Sequence, residues 1–410
     1  MRSTIEDEIT EPPPEGEPTA PQAGIKLAAV PRAFLRSAAY FTPPAVWRRN
    51  RRYRAAGLPT PGTSPLAAIS VVADEVVLAG FKITREPPTA EAWERITGEV
   101  RTALDVFESK GWLDDPSSYH REPQYPADVH SVSVRRWERS GMPWKQLRWT
   151  STWEPDPLEP GTDRWKGYDH NDRASAWLLR HDDDQPRPWV VVVHGTEQGR
   201  LLVDQRVFRV RHMYEDLGAN VIMPLLPLHA SRRPRQCATS GFPTLDTLDN
   251  IHGLAQSAFD VRCALEWVRS QDPAGISLVG LSLGGGVAAL VAGLDEPFDG
   301  VLGLVPAVDF PELFHRQTPH EMRSEASFMH LDVSSRRLHS VVSPLSFTPA
   351  TPPQRLHVLA GLNDRLLDPR TQAGPLIEHW ATTNSRWVDQ GHVTHMGTGA
   401  MVEMIDAALP

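Results

Sequence analysis

From Pro188 to the carboxyl end, short apolar runs alternate with amphipathic segments, and no other feature of the chain restricts its fold as strongly. The runs are WVVVV (189–193), ANVIMP (219–224), GISLVG (275–280), VLGLV (301–305), LHVLA (356–360) and RWVDQ (386–390). Between them, helices are expected over 202–217, 250–269, 283–294, 371–380 and 398–409; Leu254, Ala258, Val261, Leu265 and Val268 show the three-and-four spacing of one buried face. Apolar runs too short for helices and without polar alternation are strands covered on both faces. The expected fold is therefore α/β, a mostly parallel central sheet with helices on both sides. Upstream, Val129, Val132 and Val134, then 147–153 and 174–179, read as early strands joined by Gly, Pro and Asp turns.

Residues 1–24 are acidic and Pro-rich with little to bury, so they are expected to be disordered. Residues 25–128 read as a helical N-terminal extension, and 129–410 as the α/β domain with a cap insertion at about 306–347. In the extension, two short helical stretches lie between Pro31 and Gly57. The apolar run 66–83 reads as a buried helix, because Asp74, Glu75 and Lys82 would be costly in lipid. Trp93, Ile96, Val100, Leu104 and Phe107 then mark an amphipathic helix between Thr89 and Gly111. Arg48, Arg49, Arg51, Arg52 and Arg54 stand beside Phe41, Trp47 and Tyr53. They suit either peripheral contact with an anionic membrane or arginine stems packed over aromatic rings. Since 37 of the 42 basic residues are arginine, the packing reading is favoured.

Net charge is −9, of which the first 17 residues carry −5, so the body is mildly acidic and is not a general nucleic-acid binder. The acidic start lacks the basic and apolar regions of a secretory signal. Cys237 and Cys263 make no disulfide framework, and a cytoplasmic protein is expected.

The chemistry concentrates in Gly280-Leu281-Ser282-Leu283-Gly284, set between an apolar strand and an apolar helix. A serine on such a turn is held in a strained backbone, and small neighbours are needed where strand and helix crowd it. Its hydroxyl needs a base, and the base an orienting carboxylate. Both stand after later strands, in Gly361-Leu362-Asn363-Asp364 and in Gly391-His392. The order Ser282, Asp364, His392 resembles the α/β-hydrolase superfamily, esterase and lipase-like branch, over about residues 130–410. The resemblance implies a serine hydrolase with Ser282 as nucleophile, His392 as base and Asp364 as its partner, with no cofactor. His194-Gly195-Thr196 ends the WVVVV strand as in that family, which implies an oxyanion hole from the backbone N–H groups of Thr196 and Leu283. Thr196 and Glu197 replace the glycines of the lipase HGGG form, which argues against bulky tertiary esters.

Rival residues exist. Asp309 follows VLGLV and could supply the carboxylate; His395 lies three residues past His392. Asp364 and His392 are preferred, the latter because Gly391 lets the chain turn the ring inward. His194 precedes the nucleophile and reads as structural, and Asp368 as a helix N-cap ahead of Pro369. In the cap, Phe310, Phe314, Met322, Phe328 and Met329 are candidate acyl-binding residues, balanced against plain core packing. His315, His320, His330 and His339 lack metal-ligand spacing, and no phosphate-binding glycine motif follows a strand. The expected function is cleavage of a small-molecule carboxylic ester through an acyl-enzyme. An acyltransferase or thioesterase on the same triad, or a non-catalytic binding module, is the alternative.

Overall fold

A computed structural model describes residues 20–85, 88–135, 139–183, 185–235, 240–318 and 326–409. Residues 1–19 of the acidic segment, Cys237, His320 and Met322 lie outside the described residues, as do the side chains of Phe328 and Met329.

Nine strands form one sheet: β1 (His130–Ser133), β2 (Lys145–Thr150), β3 (Arg173–Leu179), β4 (Pro188–Val193), β5 (Asn220–Pro224), β6 (Gly275–Leu281), β7 (Gly300–Leu304), β8 (Leu356–Gly361) and β9 (Asn384–Val388). Their order is β1-β2-β3-β5-β4-β6-β7-β8-β9. The first three are antiparallel, and all pairs from β5–β4 through β8–β9 are parallel. Val190 to Val193 are wholly buried in the sheet's centre. Trp189, Val191 and Val193 enter one core, and Val190 and Val192 the other, as the two-residue period of a strand requires.

The first core lies under α4 (Ala90–Ser109), the short α5 (Thr162–Lys166), α7 (Thr247–Arg269) and α8 (Leu283–Leu294); the second lies under α6 (Leu201–Val207) and α12 (Gly399–Ala408). The helix expected over 202–217 is interrupted. Phe208 and Val210 are both fully buried, yet residues two apart point to nearly opposite sides of a helix. A left-handed Arg209 (φ 55°) turns both inward.

The chain steps from β4 outward to β5, then crosses back to β6 on β4's other side. This reversal opens a crevice at the carboxyl ends of the strands, the usual ligand position in such sheets. Val193 is level with Gly280, and Gly361 with Val388, so the loops holding Gly195, Ser282, Asp364 and His392 leave the same edge.

The N-terminal arm contains α1 (Ala20–Tyr40), α2 (Pro43–Ala55), α3 (Pro65–Thr84) and α4. The first helix starts inside the stretch expected to be disordered and runs through Pro31. In α2, the Arg49 guanidinium lies 4.2 Å from the Tyr40 ring centre and that of Arg51 5.7 Å from Trp47. Ser64 caps α3 by accepting from the Ala67 N–H. The expectation of a buried helix holds for only one side of α3. Leu66, Ile69, Val76 and Ile83 stay exposed, while Ala67, Ser70, Val71, Asp74, Glu75 and Leu78 face inward. Asp74 and Glu75 tolerate that burial because protein donors surround them. The stretch expected to form a cap holds α9 (Phe310–Gln317) and α10 (Ala326–His339), and Arg337 of α10 pairs with Glu108 of α4. Among the described residues no helix is long and apolar enough to cross a membrane.

Candidate active site

Ser282 occupies the turn between β6 and α8 with φ 56° and ψ −116°, a conformation that side-chain-bearing residues rarely hold. Its surroundings enforce the turn. The Ser282 N–H donates to Leu304 O at 2.9 Å, and its carbonyl accepts from Ala307 N at 2.9 Å and Gly286 N at 3.1 Å. A Cβ on Gly280 would fall 2.1 Å from Gly284 O, and one on Gly284 would fall 2.1 Å from Val193 O. The flanking glycines are thus dictated by the close approach of β4, β6 and α8. Among the described residues no hydrogen bond occupies the N–H groups of Thr196 or Leu283, whereas that of Gly195 is taken by Gln198 Oε1 at 2.6 Å.

The Ser282 hydroxyl is 3.0 Å from His392 Nε2, and His392 Nδ1 is 2.7 Å from Asp364 Oδ2. Asp364 Oδ1 accepts from Leu366 N at 2.9 Å and Leu367 N at 2.7 Å, which fixes the carboxylate. With Nδ1–H donating to that carboxylate, Nε2 is left as the acceptor facing serine. Burial alone would lower the His392 pKa, but the charge and hydrogen bond of Asp364, with Asp74 behind it, outweigh burial and raise it.

The rival residues point elsewhere. His395 donates from Nδ1 to the His392 carbonyl at 2.5 Å; burial, then the neighbouring His392 charge, pushes its pKa down to about 3. Asp309 caps α9 by accepting from Glu312 N at 2.9 Å and pairs with Arg336 at 2.7 Å. His194 donates from Nδ1 to Gly195 O at 2.8 Å and accepts at Nε2 from Leu226 N at 3.1 Å, which leaves no ring nitrogen for Ser282. Asp368 does not cap a helix as expected: α11 (Ala373–His379) starts later, behind Gln372. The Asp368 carboxylate instead pairs with Arg316 and Arg370, both at 2.5 Å. Phe310 is buried in the main core and Phe314 packs partly buried beside it, ring centres 6.0 Å apart.

Sequence reasoning missed Asp74. From the inner side of α3, its Oδ2 accepts from His392 N at 2.8 Å and Arg365 N at 2.9 Å, and its Oδ1 from Val393 N at 3.0 Å. Burial and then the Asp364 charge lift its pKa to about 6. The available signal is the pair of acids Asp74 and Glu75 inside a largely apolar helix. Gly391 also has a different reason from the one expected. It does not take a left-handed conformation; a Cβ there would lie 2.5 Å from Asp74 Oδ2, so the position is small to admit that carboxylate.

A doubly wound sheet, a strained serine at its switch point and a His and Asp on the following strand ends define the α/β-hydrolase superfamily. Within it, the chain belongs to the family of two Mycobacterium tuberculosis proteins, "Uncharacterized protein MT2702" of strain CDC 1551 / Oshkosh and "Uncharacterized protein Rv2627c" of strain ATCC 25618 / H37Rv. Each is 36% identical over 364 residues, which is 88% of this chain and 86% of the relative. No family model matches the chain. Solved structures similar to it include the acetyl xylan esterase from Paenibacillus sp. R4, with 16% identity and TM-score 0.46 over 72% of this chain and 99% of that one. Acetyl xylan esterase 1 from Thermoanaerobacterium sp. JW/SL YS485 shows 13% identity and TM-score 0.47 over 79% and 96%. At this level of similarity the class rests on sheet order and site geometry, and the named substrates belong to those proteins.

Proposed function

We propose that this protein is a serine hydrolase that cleaves carboxylic esters through an acyl-enzyme. The observation that carries the reading is the hydrogen-bonded chain Ser282–His392–Asp364 at the sheet's switch point, beside the N–H groups of Thr196 and Leu283, which have no partner among the described residues. In this reading the Ser282 oxygen attacks the ester carbonyl while its proton passes to His392 Nε2. The N–H groups of Thr196 and Leu283 hold the oxyanion, a contribution worth several kcal/mol in such sites (about 3–4 for one donor). Collapse expels the alcohol, which takes the proton from His392; water then repeats the sequence and releases the acid. Asp364 keeps the imidazole in the productive tautomer throughout. No cofactor enters this scheme. Of the candidate acyl-binding residues whose side chains are described, Phe310 and Phe314 would meet the acyl chain. The cytoplasm suits a chain whose buried Cys263 is a free thiol.

Reaction with a fluorophosphonate, followed by mass spectrometry, tests the nucleophile: wild type is modified at Ser282, and Ser282→Ala is neither modified nor active on p-nitrophenyl acetate. Hydrolysis by Ser282→Ala at the wild-type rate would end the proposal. Across acetyl to decanoyl esters, catalytic efficiency should rise with each buried methylene, by up to about 0.8 kcal/mol, and then stop. A flat series would remove the cap from the acyl site.

A further inference from the structure

We infer that Asp74, contributed by the N-terminal arm, is a positioning residue for the catalytic base, holding the His392 loop and the Asp364 loop in register through one carboxylate. The inference rests on the serine-hydrolase reading above. Asp74 is fully buried and lies 318 residues before His392 in the chain. It accepts the N–H of the base itself, that of the next residue, and that of Arg365, the neighbour of Asp364. Three charge-assisted bonds from one rigid helix thus span both strand ends, and the separation of imidazole and carboxylate is set by a group outside the α/β domain.

The rest of the arm reinforces the same two loops. Ser70, one turn before Asp74, accepts from the Thr394 hydroxyl at 2.7 Å, and Thr394 in turn accepts from Gly391 N at 3.0 Å. Glu75 accepts from Arg365 Nε at 3.0 Å and lies 2.9 Å from Arg36 of α1. The Tyr53 hydroxyl donates to Leu362 O at 2.9 Å, that of Tyr40 to Asn363 Oδ1 at 3.0 Å, and Gly62 N to Asp389 Oδ1 at 2.6 Å. An arm that served only to cover apolar surface would have no need to direct this many polar contacts at the residues beside Asp364 and His392.

Asp74 also acts through charge. The ionisable groups facing it are Asp364 and His392 across the loops, with Glu75 and Arg365 paired alongside. As an anion it favours the protonated imidazole that forms when His392 takes the serine proton. On protonation the carboxyl loses its charge toward His392 and part of its acceptor capacity toward its three donors.

The test uses the full chain as wild type, Asp74→Asn and Gly391→Ala, the last changing no arm residue but placing a methyl where the carboxylate sits. The readouts are the rate of Ser282 modification by a fluorophosphonate, and kcat and KM for p-nitrophenyl acetate from pH 5 to 9, with circular dichroism as the check on folding. For Asp74→Asn, kcat and the modification rate should fall about 100-fold with KM little changed, as expected for a misplaced base. The acid limb of kcat/KM should move to lower pH, because a negative charge beside His392 is gone; a purely structural anchor would not move it. Gly391→Ala should show the same kcat-against-KM split and decides the matter if Asp74→Asn does not fold. Folded Asp74→Asn with a wild-type rate and an unmoved acid limb, or Gly391→Ala with wild-type kcat, overturns the inference. A wild type that the probe does not modify at Ser282 overturns the hydrolase reading and this inference with it.

Discussion

Replacing Asp364 by Asn changes one atom of the site, and the structure determines which way the new amide faces. Asp364 Oδ1 accepts two buried backbone bonds, from Leu366 N and Leu367 N, while Oδ2 accepts from His392 Nδ1. An amide has one oxygen. Turning its NH2 toward the two backbone donors would leave both without an acceptor, at about 1–3 kcal/mol each. The oxygen therefore stays on Leu366 and Leu367, and the NH2 meets His392 Nδ1. That nitrogen must then accept, the ring proton moves to Nε2, and the nitrogen beside the Ser282 hydroxyl becomes a donor that cannot take a proton. A loss of about 10⁴ in kcat is expected, or about 5.5 kcal/mol of transition-state stabilisation. Steady-state hydrolysis of p-nitrophenyl acetate and the rate of fluorophosphonate modification both measure it, with an unchanged melting temperature as the control. A folded Asp364→Asn enzyme within ten-fold of wild type would refute the tautomer argument and with it the place of Asp364 in the relay.

The rival residues give the opposite expectation. Asp309→Asn keeps a good helix cap and gives up only a partly exposed ion pair worth under about 1 kcal/mol, so turnover should stay within about two-fold. His395→Ala should lower stability by about 1–3 kcal/mol, having removed a buried bond to the His392 carbonyl. Its Ser282 should still react with the probe, whereas that of His392→Ala should not. Gly284→Ala pushes a methyl to 2.1 Å from the β4 backbone and should cost at least about 3 kcal/mol, read as a lower urea midpoint. Stability should also depend on pH through Asp74. Its folded pKa of about 6 exceeds the unfolded value of about 3.9, so the folded state binds the extra proton between those pH values. The contribution is complete below about pH 4 and is lost as pH rises through about 6, a span of up to about 3 kcal/mol. Denaturation midpoints from pH 4 to 7 should show that slope in wild type and a flatter one in Asp74→Asn.

Arg49 and Arg365 both lie over the Tyr40 ring, and Arg36 and Arg365 both serve Glu75. Arg365, on the loop that follows β8, thereby ties that loop to the arm.

Locally repeating features are legible in the chain alone. Runs such as 189–193 and 356–360 specify parallel strands because a short apolar stretch can satisfy its backbone and bury both faces only inside a helix-covered sheet. The glycines around Ser282 declare a crowded turn, because strand and helix meet within the same few residues. The interruption at Arg209 was not legible, since two buried side chains at non-helical spacing show themselves only once the core is in place. Spacing puts His392 and His395 three residues apart on one loop, and the preference for His392 rests on Gly391 alone, whose reason proves to be different. Only the loop's path sets one ring 3.0 Å from Ser282 and turns the other onto a carbonyl. Asp74 is the extreme case. Its function depends on three donors 291 to 319 residues away, and a helix pattern records that a residue faces inward without recording what it meets.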